Sequence, residues 1–254
     1  MTRRRFYAPP TAFDDQQKSV TLINDEARHL REVLRLKPGD EAFVFDGAGK
    51  EFHCRIEESR RDTAYLQIIR EVEPARPESQ LQLTLALALL KGEKFDLVVQ
   101  KSTELGVARI SPVLTKHADI RLRDESDAAK RITRWQRIAM EAAKQSGRAV
   151  VPIVANVITF ESLMQTTARG PQNSCLMFSE RDGQSLLQLK EDIVQDANQM
   201  TALVGSEGGW SDEELAAARA AGWKVITLGG RTLRAETAAV AVTALLQHLF
   251  GDLF

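Results

Sequence analysis

The sequence predicts an α/β protein of two domains, a small β-rich domain over residues 1–73 and a larger α/β domain over residues 80–254. Short segments with strand character fill the first range. From Leu81 onward strands and helices alternate, a pattern typical of a mostly parallel sheet covered on both faces. Between the two ranges, Glu73–Ser79 holds two prolines in seven residues, which favours a linker. The length of 254 residues agrees with one or two domains.

The first domain is expected to contain one helix and a run of strands. Asn24 is a predicted N-cap for a helix over Asp25–Leu36, and Pro38–Asp40 ends that helix. A glycine-containing loop of hairpin length, Asp46–Lys50, joins two of the strands. The predicted strands are Glu41–Phe45, Glu51–Ile56 and Ala64–Val72. Such a series of short strands suggests a small barrel.

The second domain is expected to alternate six strands with helices. The predicted strands cover residues 81–89, 109–114, 150–157, 174–178, 201–205 and 223–228. Ser211 and Glu214 have the spacing of a capping box, which predicts that a helix begins there. Glycine favours the residue after a helix, and three helices are predicted to end in this way: Glu93–Leu105 before Gly106, Ala128–Ser146 before Gly147, and the helix to Ala221 before Gly222.

Composition and cysteine usage exclude several classes of protein. Hydrophobic residues make up 43% of the chain and charged residues 27%, which rules out a disordered scaffold. The longest apolar stretch, Leu81–Leu90, has about half the length that a bilayer-spanning helix needs. No apolar segment follows Arg3–Arg5, as it would in a secretory signal. Cys54 and Cys175 lack the spacing of a disulfide framework or a zinc site. The sequence therefore predicts a cytoplasmic protein that binds no metal and no membrane.

The net charge of −1 hides an uneven distribution of charge along the chain. Residues 91–150 carry 13 Lys and Arg against 8 Asp and Glu, whereas residues 151–254 carry 7 against 12. A local basic region can supply the phosphate contacts that dominate affinity for nucleic acid, whatever the total charge. The alternative is a solvated helix face with scattered basic side chains, and the charge count alone does not separate the two.

Two glycine-containing loops follow successive predicted strands in the second domain. The first, Leu203–Ser211, contains three glycines and leads from a buried strand into a capped helix, and the second, Leu228–Ala238, begins with a glycine pair. Glycine lets the backbone approach a ligand closely and leaves amide groups free to donate. The spacing matches neither the dinucleotide-binding fingerprint nor the P-loop. Each loop alone could be a structural turn, but together at the ends of parallel strands they predict a ligand crevice.

Arg234 and Glu236 are candidate functional residues in the second loop and at the start of the last helix. For Arg234 the alternative is a surface ion pair, and for Glu236 it is a first-turn carboxylate that the helix dipole favours. The helix segment Ala238–Leu246 is apolar at every position except Thr243. A helix without a polar face is expected either at the centre of the fold or against a second subunit.

Four ordered motifs resemble those of the RsmE family: Lys91–Val107, Gln145–Arg148, Gly205–Gly209 and Leu228–Thr237. Arg3–Phe6 also matches the opening of that family. Its members are SPOUT-class methyltransferases that use S-adenosylmethionine to methylate N3 of the uridine at position 1498 of bacterial 16S rRNA. The resemblance spans the whole chain. It implies an N-terminal PUA-like β-barrel domain that binds RNA, a C-terminal SPOUT α/β domain with a trefoil knot, and a homodimer whose site lies near the subunit boundary.

The chain departs from the pattern of that family at several positions. Ser206 and Gly230 stand where the family usually has proline, Lys144 stands where it has an acidic residue, and Lys116–His117 replaces Glu-Arg. Both proline losses fall in the glycine loops and are expected to loosen them. The lysines are expected to strengthen attraction to RNA, and His117 is expected to be a surface residue without a role.

The resemblance and the predicted strand ends together give a set of candidate site residues. The cofactor is expected in a crevice formed by residues 177–179, 205–209 and 228–233. The candidate cofactor-binding residues are Met177, Ser179, Gly205, Glu207, Gly208, Gly209, Leu228, Gly229, Arg231, Leu233 and Thr237. The candidate RNA-binding residues are Arg3, Arg4, Arg5, Lys91, Lys94 and Arg148. The expected partners are 16S rRNA within the small ribosomal subunit and a second copy of this chain.

The implied chemistry assigns roles to two residues. Methylation at uridine N3 requires loss of the N3 proton, and Arg234 is the candidate cation that stabilises the developing anion. The proton acceptor stays open between Glu236, a backbone-bound water and a group from the second subunit. N3 takes part in base pairing, so the target uridine must be unpaired or flipped out. Two other functions remain open, a SPOUT enzyme acting on a ribose 2′-oxygen and a non-catalytic RNA-binding factor in ribosome assembly.

Overall fold

The computed structural model describes residues 3–118, 120, 122–167, 173–188 and 198–253. Its backbone contacts divide the chain into two compact units. The first comprises Met1–Glu78 and Met140–Val151, and the second comprises Ser79–Ala139 and Pro152–Phe254. The first unit thus includes a later segment that the division into residues 1–73 and 80–254 places in the second domain. That division of the sequence into domains stays a prediction.

The first unit is built on a five-stranded sheet, which confirms the β-rich character of the N-terminal region. Its strands are β1 (Arg5–Tyr7), β2 (Ser19–Ile23), β3 (Glu41–Phe45), β4 (Glu51–Ser59) and β5 (Thr63–Val72). They lie in the order β1-β3-β4-β5-β2. The pair β1 and β3 is parallel, and the other pairs are antiparallel. The sheet has β1 and β2 as its edges, so the small barrel expected takes the form of a half-barrel. Alternating apolar side chains, such as Val44, Cys54 and Leu66, fill its core.

The helical segment of this unit differs from the prediction of one helix over Asp25–Leu36. A short helix, α1, covers Asn24–Arg28, and a single wider π-helical turn covers His29–Val33. Asn24 is the first helical residue and not a side-chain cap, because its backbone is left-handed, with φ of 50°. Its N–H donates to the Asp62 carbonyl, a contact in the fold that the local sequence does not reveal.

The second unit contains an eight-stranded sheet, and all its pairs are parallel, as the alternation of elements predicts. The strands are β6 (Gln82–Ala88), β7 (Arg109–Leu114), β8 (Ile153–Val154), β9 (Ile158–Thr159), β10 (Asn173–Phe178), β11 (Gln184–Ser185), β12 (Gln199–Val204) and β13 (Lys224–Thr227). Their order is β11-β13-β10-β12-β6-β7-β8, with β9 also paired to β7. The single strand predicted over residues 150–157 is wrong in its bounds. Within that range only Ile153–Val154 forms a strand, β8, and it follows Pro152, which lacks an N–H; β9 lies beyond the range at Ile158–Thr159.

The described part of the chain after Ser79 contains five helices: α2 (Lys94–Glu104), α3 (Glu125–Ser146), α4 (Phe160–Thr166), α5 (Asp212–Ala220) and α6 (Ala235–Phe250). The last residues of α3, from Met140, belong to the first unit. The capping box at the start of α5 is confirmed, since Ser211 Oγ accepts from Glu214 N and the Glu214 carboxylate accepts from Ser211 N. Gly106, Gly147 and Gly222 follow their helices with φ between 77° and 89°, as predicted for C′ glycines.

The cysteines, the possible metal ligands and the apolar helices can be located in the described residues. Cys54 and Cys175 are both buried and free, and burial raises the pKa of the Cys54 thiol to about 12. Within the described ranges, no group of three His, Cys, Asp or Glu side chains is arranged to hold a metal ion. The same ranges contain no helix of the length and apolar character needed to cross a bilayer. The trefoil knot that the resemblance implies stays a prediction.

Candidate active site

A crevice opens at the carboxyl ends of β10, β12 and β13 in the second unit. Its volume is about 680 Å³, within the usual range for pockets that bind small molecules. Three loops line it, over residues 178–180, 204–210 and 227–235, together with Lys94, Ala238 and Val242. The ends of parallel strands meet at one edge of a sheet, so the loops after them lie side by side. The crevice lies where the two glycine loops were predicted to form one.

Most of the predicted cofactor residues line this crevice, and three do not. The residues that line it are Ser179, Gly205, Glu207, Gly209, Leu228, Gly229, Arg231 and Leu233, together with Arg234. Met177 is fully buried and belongs to the core cluster of this unit, because successive side chains of a strand point to opposite faces. Thr237 is exposed on α6, and Gly208 faces His117 outside the crevice. Met177, Gly208 and Thr237 therefore lie outside the lining of the crevice, and their contact with the cofactor stays a prediction.

Trp210 shapes the first glycine loop and was given no role by the sequence analysis. A Cβ at position 205 would come within 3.0 Å of the Trp210 ring, so only glycine fits there without a shift. The Trp210 Nε1 donates to the Phe178 carbonyl over 2.8 Å, which ties the first loop to the end of β10. Gly209 completes the turn with φ of 66°, and its N–H donates to the Ser206 carbonyl. The sequence did offer a signal for this role, since a tryptophan follows directly after a glycine pair.

The second glycine loop has an open backbone. Gly229 and Gly230 adopt φ values of 75° and 78°, and a Cβ at either position would meet no atom within 4 Å. Proline holds φ near −65°, so it cannot adopt the conformation seen at position 230. Glycine replaces the usual proline at position 230, and the backbone conformation of the loop there is one that favours glycine. Arg231 and Arg234 extend from this loop with exposed side chains.

Lys94 lines the crevice and lies close to two carboxylates, of which Glu207 also lines the crevice and Glu236 does not. The Lys94 ammonium contacts Glu207 directly and lies 3.8 Å from Glu236 Oε1. The other oxygen of that carboxylate, Glu236 Oε2, is buried and accepts no hydrogen bond from the described residues. Glu236 also lies in the first turn of α6, where the helix dipole favours a negative charge. Lys94, a candidate RNA-binding residue, lines the crevice, and its contact with RNA stays a prediction.

The loop after β7 lies against the start of α5. Lys116 N donates to Glu214 Oε1 over 3.0 Å, and Lys116 Nζ lies 3.1 Å from Glu213 Oε2. The pKa of the Glu213 carboxyl is lowered to about 2 by its own backbone N–H, by the Ser211 hydroxyl and by Lys116. This carboxylate therefore stays ionised throughout the physiological range of pH.

The predicted RNA-binding residues of the first unit have different environments. The Arg5 guanidinium is buried, where it donates to Glu51 and to the carbonyls of Lys144 and Arg148. The Arg148 side chain is also buried, and its Nε and Nη2 donate to Glu78. Neither guanidinium has free surface for a phosphate, so we withdraw both from the proposed RNA contacts.

The other predicted RNA-binding residues are more accessible. Arg3 is partly exposed, although Nη1 donates to Glu51 and to the Glu73 carbonyl. The Arg4 side chain in the first unit and the Lys91 side chain in the second are exposed.

Comparison with known proteins gives the family. A family model described as RNA methyltransferase domain matches residues 77–247, and one described as RNA methyltransferase PUA domain matches residues 22–69. A protein of Synechocystis, ribosomal RNA small subunit methyltransferase E, is 34% identical over 92% of this chain and 74% of its own length. The chain belongs to the ribosomal RNA small subunit methyltransferase E family. The relative of the same name from Bacillus subtilis is 28% identical over 94% of each chain.

Members of the ribosomal RNA small subunit methyltransferase E family also share this fold. The crystal structure of the member from Neisseria gonorrhoeae, bound to S-adenosyl methionine, superposes with a TM-score of 0.86 and 34% identity, covering 100% of both chains. The match to the PUA model confirms the predicted character of the N-terminal half-barrel, and the match to the methyltransferase model confirms that of the parallel sheet. The resemblance seen in the four sequence motifs is thereby confirmed as family membership.

Proposed function

We propose that this protein transfers the methyl group of S-adenosylmethionine to N3 of the uridine at position 1498 of 16S rRNA. The observation that carries the proposal is the crevice between the two glycine loops, with Arg234 in its lining. Family membership supports methylation of small-subunit rRNA, and the choice of N3 rests on the resemblance of the four motifs. The substrate is the rRNA within the small ribosomal subunit, and the reaction takes place in the cytoplasm.

The residues around the crevice fit S-adenosylmethionine. Phe178 and Val204 contribute apolar side chains to the lining, which suits an adenine ring. Glu180 and Glu207 offer carboxylates to the ribose hydroxyls and to the positive charges of the cofactor. The glycine loops have no Cβ atoms at positions 209, 229 and 230, so the backbone can approach the ligand.

Arg234 and Glu236 are the proposed catalytic residues. When bound, S-adenosylmethionine supplies an electrophilic methyl group on a sulfonium. Arg234 is the N-cap residue of α6 and lines the crevice, and we propose that its guanidinium stabilises the negative charge that develops on the uracil oxygens. Glu236 is a candidate proton acceptor because its Oε2 is buried without a donor among the described residues. A backbone-bound water and a group from a second subunit remain the alternative acceptors.

The function is tested by identifying the modified nucleoside. We expect rRNA from a strain that lacks the gene to lose 3-methyluridine, as measured by mass spectrometry of the digested 16S rRNA, and the purified protein to restore it. Loss of a 2′-O-methylated nucleoside would instead indicate a different target of the same cofactor chemistry. An unchanged nucleoside profile, with no binding of S-adenosylmethionine, would indicate a non-catalytic RNA-binding factor.

Arg4 is the exposed residue of the first unit that we propose to contact the RNA backbone, together with Arg3 and with Lys91 of the second unit. Each lost phosphate contact is expected to reduce the slope of log K against log salt by about one unit. We therefore expect R4A to bind rRNA more weakly with a shallower salt dependence, measured by filter binding at several salt concentrations. Arg28→Ala, which removes an exposed arginine already paired with Asp62, is the matched control. An unchanged slope for R4A would remove it from the contacts.

We also propose that two copies of the chain associate through α6. Ala238, Ala241 and Leu245 share one face of this helix, and Leu245 is 38% exposed although it is apolar. Ala238 also lines the crevice, so this face runs from the crevice toward solvent. Val242, which the sequence pattern would place in the same interface, lies one turn after Ala238 and is fully buried in its own unit. A charge at Val242 would disturb the core rather than report on association.

Leu245→Glu is the variant that tests the dimer. We expect it to shift the protein from dimer to monomer in sedimentation velocity and to lower methyl-transfer activity, because the interface lies beside the crevice. Ile153→Glu, at an exposed apolar position on β8 of the same unit, should change neither property. A protein that sediments as a monomer before any substitution, with full activity, would contradict the proposal.

A further inference from the structure

The first glycine loop is held from outside the crevice by the segment that follows β7. Ser206 Oγ donates to the His117 carbonyl over 3.0 Å, and His117 Nδ1 lies 3.1 Å from the Gly208 carbonyl oxygen. These two contacts lie on either side of Glu207, a residue of the crevice lining. A carbonyl oxygen only accepts, so the imidazole must carry its hydrogen on Nδ1 to bond there.

The approach of His117 explains the glycine at position 208. A Cβ on Gly208 would lie 2.7 Å from the His117 Cβ and 3.1 Å from the His117 carbonyl oxygen. Any larger residue would push the two segments apart, and neither the backbone oxygen nor the Cβ can move away as a flexible side chain would. Gly208 is therefore needed for the close contact with His117.

The segment that carries His117 is itself anchored to the element after the loop. Lys116 N donates to Glu214 Oε1, while Glu214 Oε2 accepts from Ser211 N in the capping box of α5. Glu214 is buried, so these bonds are shielded from water. The loop is thus connected at its start through Ser206 and at its end through α5 to the same short segment.

We infer that His117 is a positioning residue that holds the first glycine loop in the conformation that binds S-adenosylmethionine. The inference rests on the cofactor crevice of the proposed function. Within the loop, the Gly209 N–H bond to the Ser206 carbonyl forms the turn, and Gly209 has a left-handed backbone. A loop that is already ordered loses less conformational entropy when a ligand binds, which increases affinity. Position 206 usually holds proline in the family, and serine there was expected to loosen the loop. The Ser206 hydroxyl restrains the loop instead, because it donates to the His117 carbonyl.

Substitutions at position 117 separate this role from a general contribution to stability. Asparagine places Nδ2 as many bonds from Cα as histidine places Nδ1, whereas alanine has no donor and glutamine places its amide one bond further. We expect H117A to raise the Kd for S-adenosylmethionine about 2- to 10-fold, the effect of one net hydrogen bond. H117N should restore the affinity and H117Q should not. Isothermal titration calorimetry gives the Kd, and kcat at saturating cofactor should stay the same in all three variants.

Two further variants complete the experiment. Lys116→Ala removes an exposed ion pair with Glu213 from the same segment and should leave the Kd unchanged. Gly209→Val reports on the crevice itself, because valine both resists the left-handed backbone and adds bulk to the lining. Normal binding by G209V would show that the crevice is misplaced, and so would overturn the proposed site. If G209V loses binding while H117A keeps a normal Kd, the role of His117 alone is overturned. The same conclusion follows if G209V loses binding and H117A and H117N lose equal affinity for S-adenosylmethionine.

Discussion

Replacing Arg234 with alanine is expected to lower kcat for methyl transfer by about 100- to 1000-fold, with little change in the Kd for S-adenosylmethionine. The magnitude is that of removing one fixed donor from the site where negative charge develops in a transition state. Arg234 lines the crevice at the start of α6 and is exposed. Single-turnover kinetics with saturating rRNA measure the chemical step directly.

Two companion variants test the reason for this effect. Arg234→Lys keeps the positive charge without the planar fork, so its kcat should fall between those of the wild type and R234A. Arg131→Ala removes an arginine of α3 that pairs with Asp127 within its own helix, and its kcat should not change. A value of kcat for R234A within threefold of the wild type would exclude Arg234 from the chemical step. Equal losses in the Kd and in kcat would show instead that Arg234 holds the cofactor.

The largest expected effect on stability comes from Glu51 in the first unit. Its side chain is fully buried, with Oε1 accepting from Arg3 and Oε2 accepting from Arg5 and from the Ala75 N–H. Removing one partner of a buried ion pair leaves a buried charge uncompensated, at a cost of about 3–5 kcal/mol. We expect Glu51→Gln to lower the free energy of unfolding of the first unit by about that amount.

Urea denaturation followed by intrinsic fluorescence and circular dichroism measures this change. The matched control is Glu71→Gln on β5, whose carboxylate pairs with Lys50 at the surface, where such pairs contribute about 0–1 kcal/mol. A loss for Glu51→Gln no greater than for Glu71→Gln would mean that the hydrogen bonds to the neutral amide replace those to the carboxylate.

Features that depend on neighbouring residues were predictable from the sequence. The capping box needs only Ser211 and Glu214, three positions apart, and a glycine after a helix satisfies its last carbonyls locally. The crevice was also predictable, since the alternation of strands and helices dictates a parallel sheet and the ends of its strands meet at one edge. The two glycine loops at those ends therefore indicated the site.

Features that depend on distant contacts were not predictable. Arg5 has the same appearance in the sequence as Arg4, and only the fold shows that Glu51 and the carbonyl of Lys144 surround its guanidinium. The contact of His117 with Gly208 was equally unpredictable, because it joins segments that lie far apart in the chain. Local pattern assigns a residue type to a strand or a loop, whereas the partner of a charged or polar side chain is decided by packing.

The order of strands in the parallel sheet has a consequence for how the protein folds during synthesis. β6 lies between β7 and β12, and Leu85 of β6 pairs with Ala202 of β12, although most of the second unit separates them in the chain. The edge of β6 that pairs with β12 therefore stays unpaired until the ribosome has synthesised residues 199–204. Sheets with such non-local pairing fold slowly, because the chain between the two strands must lose conformational entropy before their contacts can compensate for that loss. The crevice, built from β10, β12 and β13, is consequently among the last parts of the molecule to form.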